Sequence, residues 1–402
     1  MERIWNSHLD DDIYKKHMGA FFWHLHRDIP AVYAYKCRDT SIDLRPIYTP
    51  LCEQIEAMSD VALQKDEQKW LFENTKVTQD YLVNFLAKFR FDPKQVKIKK
   101  IAANPGLEIR PAGPIQEASL WEIPLMSTIS ELYFRNLYGS KFDSVVETAK
   151  KDLNDNVDQL LQLMADDPLV NYLMSEFGTR RRLCMLLHDY AVRTLKERIP
   201  NSLVGTSNMF LAKKHGIKTV GTQAHEALEL YQAIVHPLDS QRKFLRDWIE
   251  FYRGWLGIAL TDTLGDKKWD EDFTKDLMID YIGQRHDSGD PYPWGERRLA
   301  AYERESVDPK EKTLLFSDNL NFGRSFCLSK YFGHRTNVTH GLGTFITNFI
   351  KSLPGHKALN QVIKIVWANG KAVLKLGADG TGMKMQCEDE AYAQYMMQAV
   401  NR

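Results

Sequence analysis

Within six consecutive positions, Arg285-His-Asp-Ser-Gly-Asp290, the chain sets a guanidinium, an imidazole, two carboxylates and a hydroxyl directly after the stretch Tyr281-Ile-Gly-Gln. This set suits a phosphorylated sugar, because arginine pairs bidentately with phosphate or carboxylate and carboxylates hold Mg²⁺ or sugar hydroxyls. Related endings occur at Glu176-Phe-Gly-Thr-Arg180, Val204-Gly-Thr-Ser-Asn208, Val220-Gly-Thr-Gln-Ala-His-Glu226, Ile258-Ala-Leu-Thr-Asp-Thr263, Leu315-Phe-Ser-Asp-Asn319 and Val338-Thr-His-Gly-Leu-Gly-Thr344. They offer Arg180 and Arg285 to an anion, and Asp287, Asp290 and Asp318 to Mg²⁺ or hydroxyls. Gly341, Gly343 and Thr344 offer backbone N–H groups to a phosphate. Three successive side chains cannot all face one site from a helix. Of Arg180, Arg181 and Arg182, only Arg180 is therefore placed on the anion, and the other two are expected in salt bridges or on the surface. His286 and Asp287 are not read as a triad, since neighbours on an extended exit point to opposite sides. No Gly-x-x-x-x-Gly-Lys-Ser/Thr loop and no dinucleotide-binding Gly-x-Gly-x-x-Gly turn is present.

The elements that must hold these groups follow from their cost of burial. A parallel strand covered on both faces carries charge only where it emerges, and α/β folds place their sites at that carboxyl edge. Seven such endings, most followed by helix-capable stretches, predict repeated βα units. Before them, an aspartate among Asp10 to Asp12 is expected to cap a helix starting near Ile13, and Ala31 to Arg38 alternates like a strand. Leu51 to Arg90 reads as mainly helical, with Trp70, Leu71, Tyr81, Leu82, Phe85, Leu86 and Phe89 on an apolar face. Val96 to Lys100 and Leu107 to Arg110 read as strands joined through Asn104-Pro-Gly106. A long helix is expected through Tyr138, with Glu122 a candidate partner for an arginine, and Lys141 to Leu163 reads as an amphipathic linker. The hairpin signal around Asn369-Gly370 is expected to complete a sheet begun near the N-terminus. The predicted division is an α+β domain from 1–140 and 350–402 and an α/β domain over 141–349.

Composition narrows the function classes. The 53 basic and 53 acidic side chains balance, so no concentrated charge argues for a nucleic-acid partner. Five cysteines without Cys-x-x-Cys spacing give neither a disulfide scaffold nor a thiolate metal site. No stretch approaches the length of a membrane helix and no signal-peptide core opens the chain, so a cytoplasmic protein without a membrane partner is expected.

Taken together, Asp12-Ile-Tyr14-Lys15, Phe177-Gly-Thr-Arg-Arg, Val204-Gly-Thr-Ser-Asn, Gly221-Thr-Gln-Ala-His-Glu, Arg285-His-Asp-Ser-Gly-Asp, Phe316-Ser-Asp-Asn and Gly341-x-Gly-Thr resemble, in order, the bacterial nicotinate phosphoribosyltransferases, over nearly the whole chain. The resemblance implies an irregular, partly open α/β barrel beside an α+β domain built from both termini. It implies nicotinate and 5-phosphoribosyl 1-diphosphate as substrates, ATP as co-substrate, Mg²⁺, and nicotinate mononucleotide as product in NAD salvage. It makes His225 the transiently phosphorylated histidine, its tautomer fixed by Glu226 or another carboxylate, and adds Arg285 and Asp287 as catalytic residues. Asp287 and Asp318 are the expected metal ligands. Phe177 is expected to stack on the pyridine ring and Tyr14 to cover its other face from the partner of a homodimer. Arg180, Ser207, Asn208, Ser288, Asp318, Gly341, Gly343 and Thr344 complete the expected substrate contacts. One departure is that Phe345 and Phe349 stand where the family often has Arg and Asp.

Two enzyme alternatives and one non-enzyme reading remain. A nicotinamide phosphoribosyltransferase tends to carry Asp where this chain has Ser207, and an acid there repels a carboxylate, so Ser207 favours nicotinate. A quinolinate enzyme would need more cations and is usually shorter. A non-catalytic phosphosugar-binding protein would keep many of the same groups and differ in forming no product.

Overall fold

The computed structural model describes residues 2–380 and 386–401. Among the described residues, eleven strands form two sheets: β1 (Pro30–Cys37), β2 (Val96–Lys100), β3 (Leu107–Pro114), β4 (Met174–Glu176), β5 (Leu203–Thr206), β6 (Ile258–Leu260), β7 (Gly283–His286), β8 (Thr313–Phe316), β9 (Asn337–Leu342), β10 (Gln361–Ala368) and β11 (Lys371–Ala372). One sheet runs β11-β10-β1-β3-β2 and the other β5-β4-β9-β8-β7-β6. The first is antiparallel, and its long central pair joins Ala31 to Ala368 and Cys37 to Gln361, so both ends of the chain build it as expected. The second is parallel throughout. Its strands are short and buried, as in Leu314-Leu-Phe316, and their polar exits all fall on one edge.

Six of the seven expected strand endings follow regular strands. The seventh, before Gly221, is a local bridge. Val220 N–H donates to Thr206 O at 2.9 Å and Thr206 N–H to Lys218 O at 3.1 Å, while Thr222 Oγ1 reaches Ile258 O on the far edge at 2.9 Å. The segment thus spans the gap between β5 and β6 without a regular ladder, and the barrel is not closed. A close backbone approach makes the bridge, since a Cβ on Gly205 would lie 2.2 Å from Lys218 O.

Three local expectations change. Residues 141–163 are not a linker but most of a 25-residue helix, Phe142–Asp166. Its buried Leu153, Val157 and Leu160 join a core with Leu314, Phe316 and Phe326. Asp12 occupies the N-cap position of the helix Ile13–Leu25 but makes no cap bond, because its carboxylate accepts from Ser207 Oγ at 2.7 Å. Thr179–Arg181 is a single 3-10 turn and the helix starts only at Met185, which separates the three arginines.

The N-terminal segment is threaded into the barrel. Ile13 N–H donates to Ser207 O, Met209 N–H to Asp11 O and Phe210 N–H to Leu9 O. The largest apolar cluster accordingly runs from Trp5 and Phe21 through Trp121 and Trp248 to Ile365, so the two sheets share a core. No helix among the described residues is long and apolar enough to cross a membrane.

Candidate active site

A cavity of about 750 Å³ opens at the carboxyl edge of the parallel sheet. The strand exits supply one wall with Phe177, Arg180, His225, Arg285, Asp287, Ser288, Asp318, Gly341, Gly343 and Thr344. The antiparallel sheet and its approaches close it with Arg38, Lys357, Lys364 and Lys375.

His225 is the first residue of the helix His225–Ile234. Its Nε2 lies 2.7 Å from Asp262 Oδ1, at the exit of β6. The other carboxylate oxygen, Asp262 Oδ2, accepts from Ser288 Oγ at 2.7 Å and pairs with Lys375 Nζ at 2.6 Å. Burial opposes ionisation of Asp262, but Lys375 and His225 hold its carboxyl well below the usual range. Burial, then Lys375, lowers the pKa of His225 against the pull of Asp262. The imidazole is therefore neutral, its Nε2–H donating to Asp262, and the lone pair is left on Nδ1. Asp262 fixes the tautomer rather than Glu226. Glu226 is turned to Lys15 at 2.7 Å, and burial, partly offset by Lys15, pushes its pKa up to about 7.

Arg285 and Asp287 leave β7 as a pair. Arg285 donates to Asp287 Oδ1 at 3.0 Å and to Ser317 Oγ at 2.9 Å, and its guanidinium lies 5.7 Å from the centre of the Phe177 ring. Asp287 is held below the ordinary carboxylate range although burial pushes the other way, because Arg285 and Lys375 face it. The Phe177 ring lies against Gly341, where a Cβ would come within 2.3 Å of it, and a Cβ on Gly343 would meet Phe177 O at 2.8 Å. The two glycines thus make room for an aromatic wall.

The three arginines separate by environment. Arg180 is partly exposed at the cavity and 3.4 Å from Glu122 Oε1, which bears out the pairing expected for Glu122. Arg182 is buried on Asp10, with both carboxylate oxygens at 2.6 Å. Removing one partner of such a pair costs about 3–5 kcal/mol, so Arg182 serves the fold. Arg181 differs from expectation. It lines the cavity while its Nε and Nη2 donate to Gln361 O at 3.0 and 2.8 Å, and burial with Arg180 lowers its pKa to about 10.

Three residues expected to contact substrate are buried in the chain. Ser207 is buried on Asp12. Asn208 accepts from Leu211 N–H as the N-cap of the helix Met209–His215 and donates to Asp10 at 2.8 Å. Tyr14 is 8% exposed within the chain, on the helix that the N-terminal threading holds in place. Charge in the cavity wall from Arg180 and Glu122 reaches its hydroxyl. Phe345 and Phe349 do line the cavity, their rings 5.1 Å apart. The cations of that region come instead from Arg38, Lys357 and Lys364.

Sequence reasoning assigned no role to Asp262, Ser317 or Lys375. Asp262 and Ser317 stand in two of the recognised strand endings, so the signal was present. Lys375 gave little, as one lysine in the alternating stretch Val373-Leu-Lys-Leu376.

Among the described residues, one set of donors has the spacing of a metal site: a nitrogen of His225 and one oxygen each of Asp262 and Asp287 lie within 4.8 Å of one another. Carboxylates suit Mg²⁺. The fit fails on Lys375, whose Nζ is already 2.6 Å from Asp262 Oδ2 and 3.7 Å from Asp287 Oδ2. Asp318, expected beside Asp287 as a ligand, lines the cavity but is not one of the three.

The chain matches the nicotinate phosphoribosyltransferase (NAPRTase) family over residues 172–401 and the N-terminal domain of that family over 9–130. It is 39% identical to a nicotinate phosphoribosyltransferase of Pectobacterium carotovorum over 391 residues, covering 97% of this chain and 94% of that one. It is also 39% identical to one of Escherichia coli (O9:H4, strain HS), with 98% and 96% covered. A crystal structure of nicotinate phosphoribosyltransferase from Vibrio cholerae superimposes with a TM-score of 0.93 at 29% identity, covering 99% of this chain and 94% of that one.

Proposed function

The chain belongs to the nicotinate phosphoribosyltransferase family, and from that premise we infer that it joins nicotinate to the phosphoribosyl group of 5-phosphoribosyl 1-diphosphate, with coupled ATP hydrolysis, in NAD salvage. The observation that carries the reading is the shared carboxylate of Asp262, which holds His225 as a neutral imidazole beside the Arg285–Asp287 pair in one cavity.

In nucleotide formation, a bond forms between the pyridine nitrogen and the anomeric carbon while the bond to diphosphate breaks, and diphosphate leaves with the electron pair. The nucleophile belongs to the substrate, so the chain needs no base for this step. Its work is placement of charge. Phe177 offers its face to the pyridine ring. Arg285 and Arg180 take anionic groups, and Gly341, Gly343 and Thr344 accommodate a phosphate. Asp287, Asp318 and Ser288 face ribose hydroxyls or a diphosphate oxygen whose magnesium arrives as part of the substrate. With Ser207 and Asn208 buried in the fold, selection of a carboxylate over an amide falls to the cationic cavity wall.

In ATP coupling, Nδ1 of His225 attacks the γ-phosphorus, the bond to the β-phosphate oxygen breaks, and ADP leaves with the electron pair. The phosphohistidine adds negative charge and acceptor oxygens beside Arg285 and Lys375, and its hydrolysis returns the imidazole. The resemblance supports a cytoplasmic homodimer as the working assembly.

The test is steady-state formation of mononucleotide with nicotinate and, separately, with nicotinamide, each with and without ATP. The expected result is nicotinate mononucleotide, with synthesis raised by ATP. Preference for nicotinamide would make the chain an amide-specific enzyme, and binding of 5-phosphoribosyl 1-diphosphate without any product would make it a phosphosugar-binding protein.

A further inference from the structure

Lys375 enters the cavity from the stretch after β11, and its backbone is pinned on both sides. Gln232 donates through Nε2 to Leu374 O at 2.7 Å and accepts from Leu374 N–H at 3.0 Å. Leu376 N–H donates to Thr263 O at 2.8 Å, next to Asp262 itself. The ammonium is thus delivered to Asp262 by the fold and does not drift there from solvent. Its side chain is 14% exposed, and Asp262, Asp287 and Glu229 keep it protonated against the effect of burial.

Its position coincides with the one a divalent ion would need. Lys375 Nζ lies 2.6 Å from Asp262 Oδ2 and 3.7 Å from Asp287 Oδ2, while His225 Nε2 lies 2.7 Å from Asp262 Oδ1 and 3.9 Å from Asp287 Oδ2. Mg²⁺ or Mn²⁺ bridging the two carboxylates would displace the ammonium or stand against it at contact distance. The charges already balance, since Asp262 and Asp287 face Lys375 and Arg285.

We propose that Lys375 is the built-in cation of this cluster: its ammonium takes the place between Asp262 and Asp287 that a divalent metal would occupy, so the free enzyme holds no metal on His225, Asp262 and Asp287. A lysine in this place has a functional consequence. A resident metal would ligate the His225–Asp262 pair, whereas the ammonium leaves the Nε2–H of His225 on Asp262 and its Nδ1 free, and is itself able to shift toward a newly formed phosphoryl group.

The proposal concerns the same site as the functional reading, but its test involves no turnover and is independent of whether His225 is phosphorylated. Mn²⁺ is titrated into the full-length protein without substrates and followed by electron paramagnetic resonance. Wild type is expected to show no stoichiometric site, while Lys375→Met and Lys375→Gln each gain one Mn²⁺ per chain, lost again when Asp262→Asn is added. A stoichiometric wild-type site that Asp262→Asn removes overturns the proposal whatever the lysine variants do. So does absence of binding in a lysine variant whose circular dichroism and melting match wild type.

Discussion

His225→Ala is expected to lose ATP hydrolysis by about 10³-fold or more, the scale on which removal of an attacking nucleophile acts, while keeping a measurable ATP-independent rate of nucleotide synthesis. The split follows from the site. His225 presents a neutral ring whose Nε2–H is committed to Asp262, leaving Nδ1 to attack phosphorus. The phosphoribosyl transfer uses the pyridine nitrogen instead, so Phe177, Arg285 and Asp287 still assemble it when the imidazole is gone. Measured side by side, ATP consumption and mononucleotide formation should uncouple in the variant. Equal loss of both would make His225 part of the phosphoribosyl site rather than the coupling device, and undiminished ATP-driven synthesis would remove it from the reaction.

For Asp287→Asn, we expect turnover at saturating substrates to fall at least about tenfold, the value of one charge-assisted contact of roughly 1.5 kcal/mol or more. Asp287 keeps its charge because Arg285 donates to it at 3.0 Å and Lys375 faces it. In the proposed mechanism that charge faces the anomeric carbon as it becomes positive while diphosphate leaves. The amide keeps the size and one acceptor oxygen but not the charge, so the fall should appear in kcat. An unchanged kcat would reduce Asp287 to a partner that orients Arg285.

Much of this arrangement was legible in the sequence for one physical reason. Charge inside a buried parallel strand is prohibitive and at its end is tolerated, so each glycine-and-polar ending marked a point on the rim of one cavity. Arg180, Arg285, Asp287 and Gly341 were found in this way, while Phe177 and His225, which stand in two of the same endings, were singled out by the family resemblance; all six line the cavity. What the pattern did not show also has physical causes. Ser207 and Asn208 stand in such an ending, yet Asn directly before a helix-forming stretch is equally a cap signal, and the cap is what Asn208 forms. Tyr14 was assigned to a partner by the family resemblance, and nothing in its local pattern tells that Leu9, Asp11 and Ile13 hydrogen-bond to Phe210, Met209 and Ser207. Lys375 was missed because its meaning depends on Asp262, far away in sequence, and a single lysine in a strand resembles any solvent-facing residue. The stretch 141–163 looked like a linker because its exposed side is highly charged, although Val145, Leu153, Val157 and Leu160 form a buried stripe along it.

The central claim is that ATP reaches the reaction through His225, and the most direct measurement is to incubate wild-type protein with γ-labelled ATP and Mg²⁺, quench in base and map the label by peptide mass spectrometry. The account predicts one acid-labile phosphate per chain on His225, discharged when 5-phosphoribosyl 1-diphosphate and nicotinate are added. Label on another residue, or none on a protein that still couples ATP hydrolysis to synthesis, would contradict it.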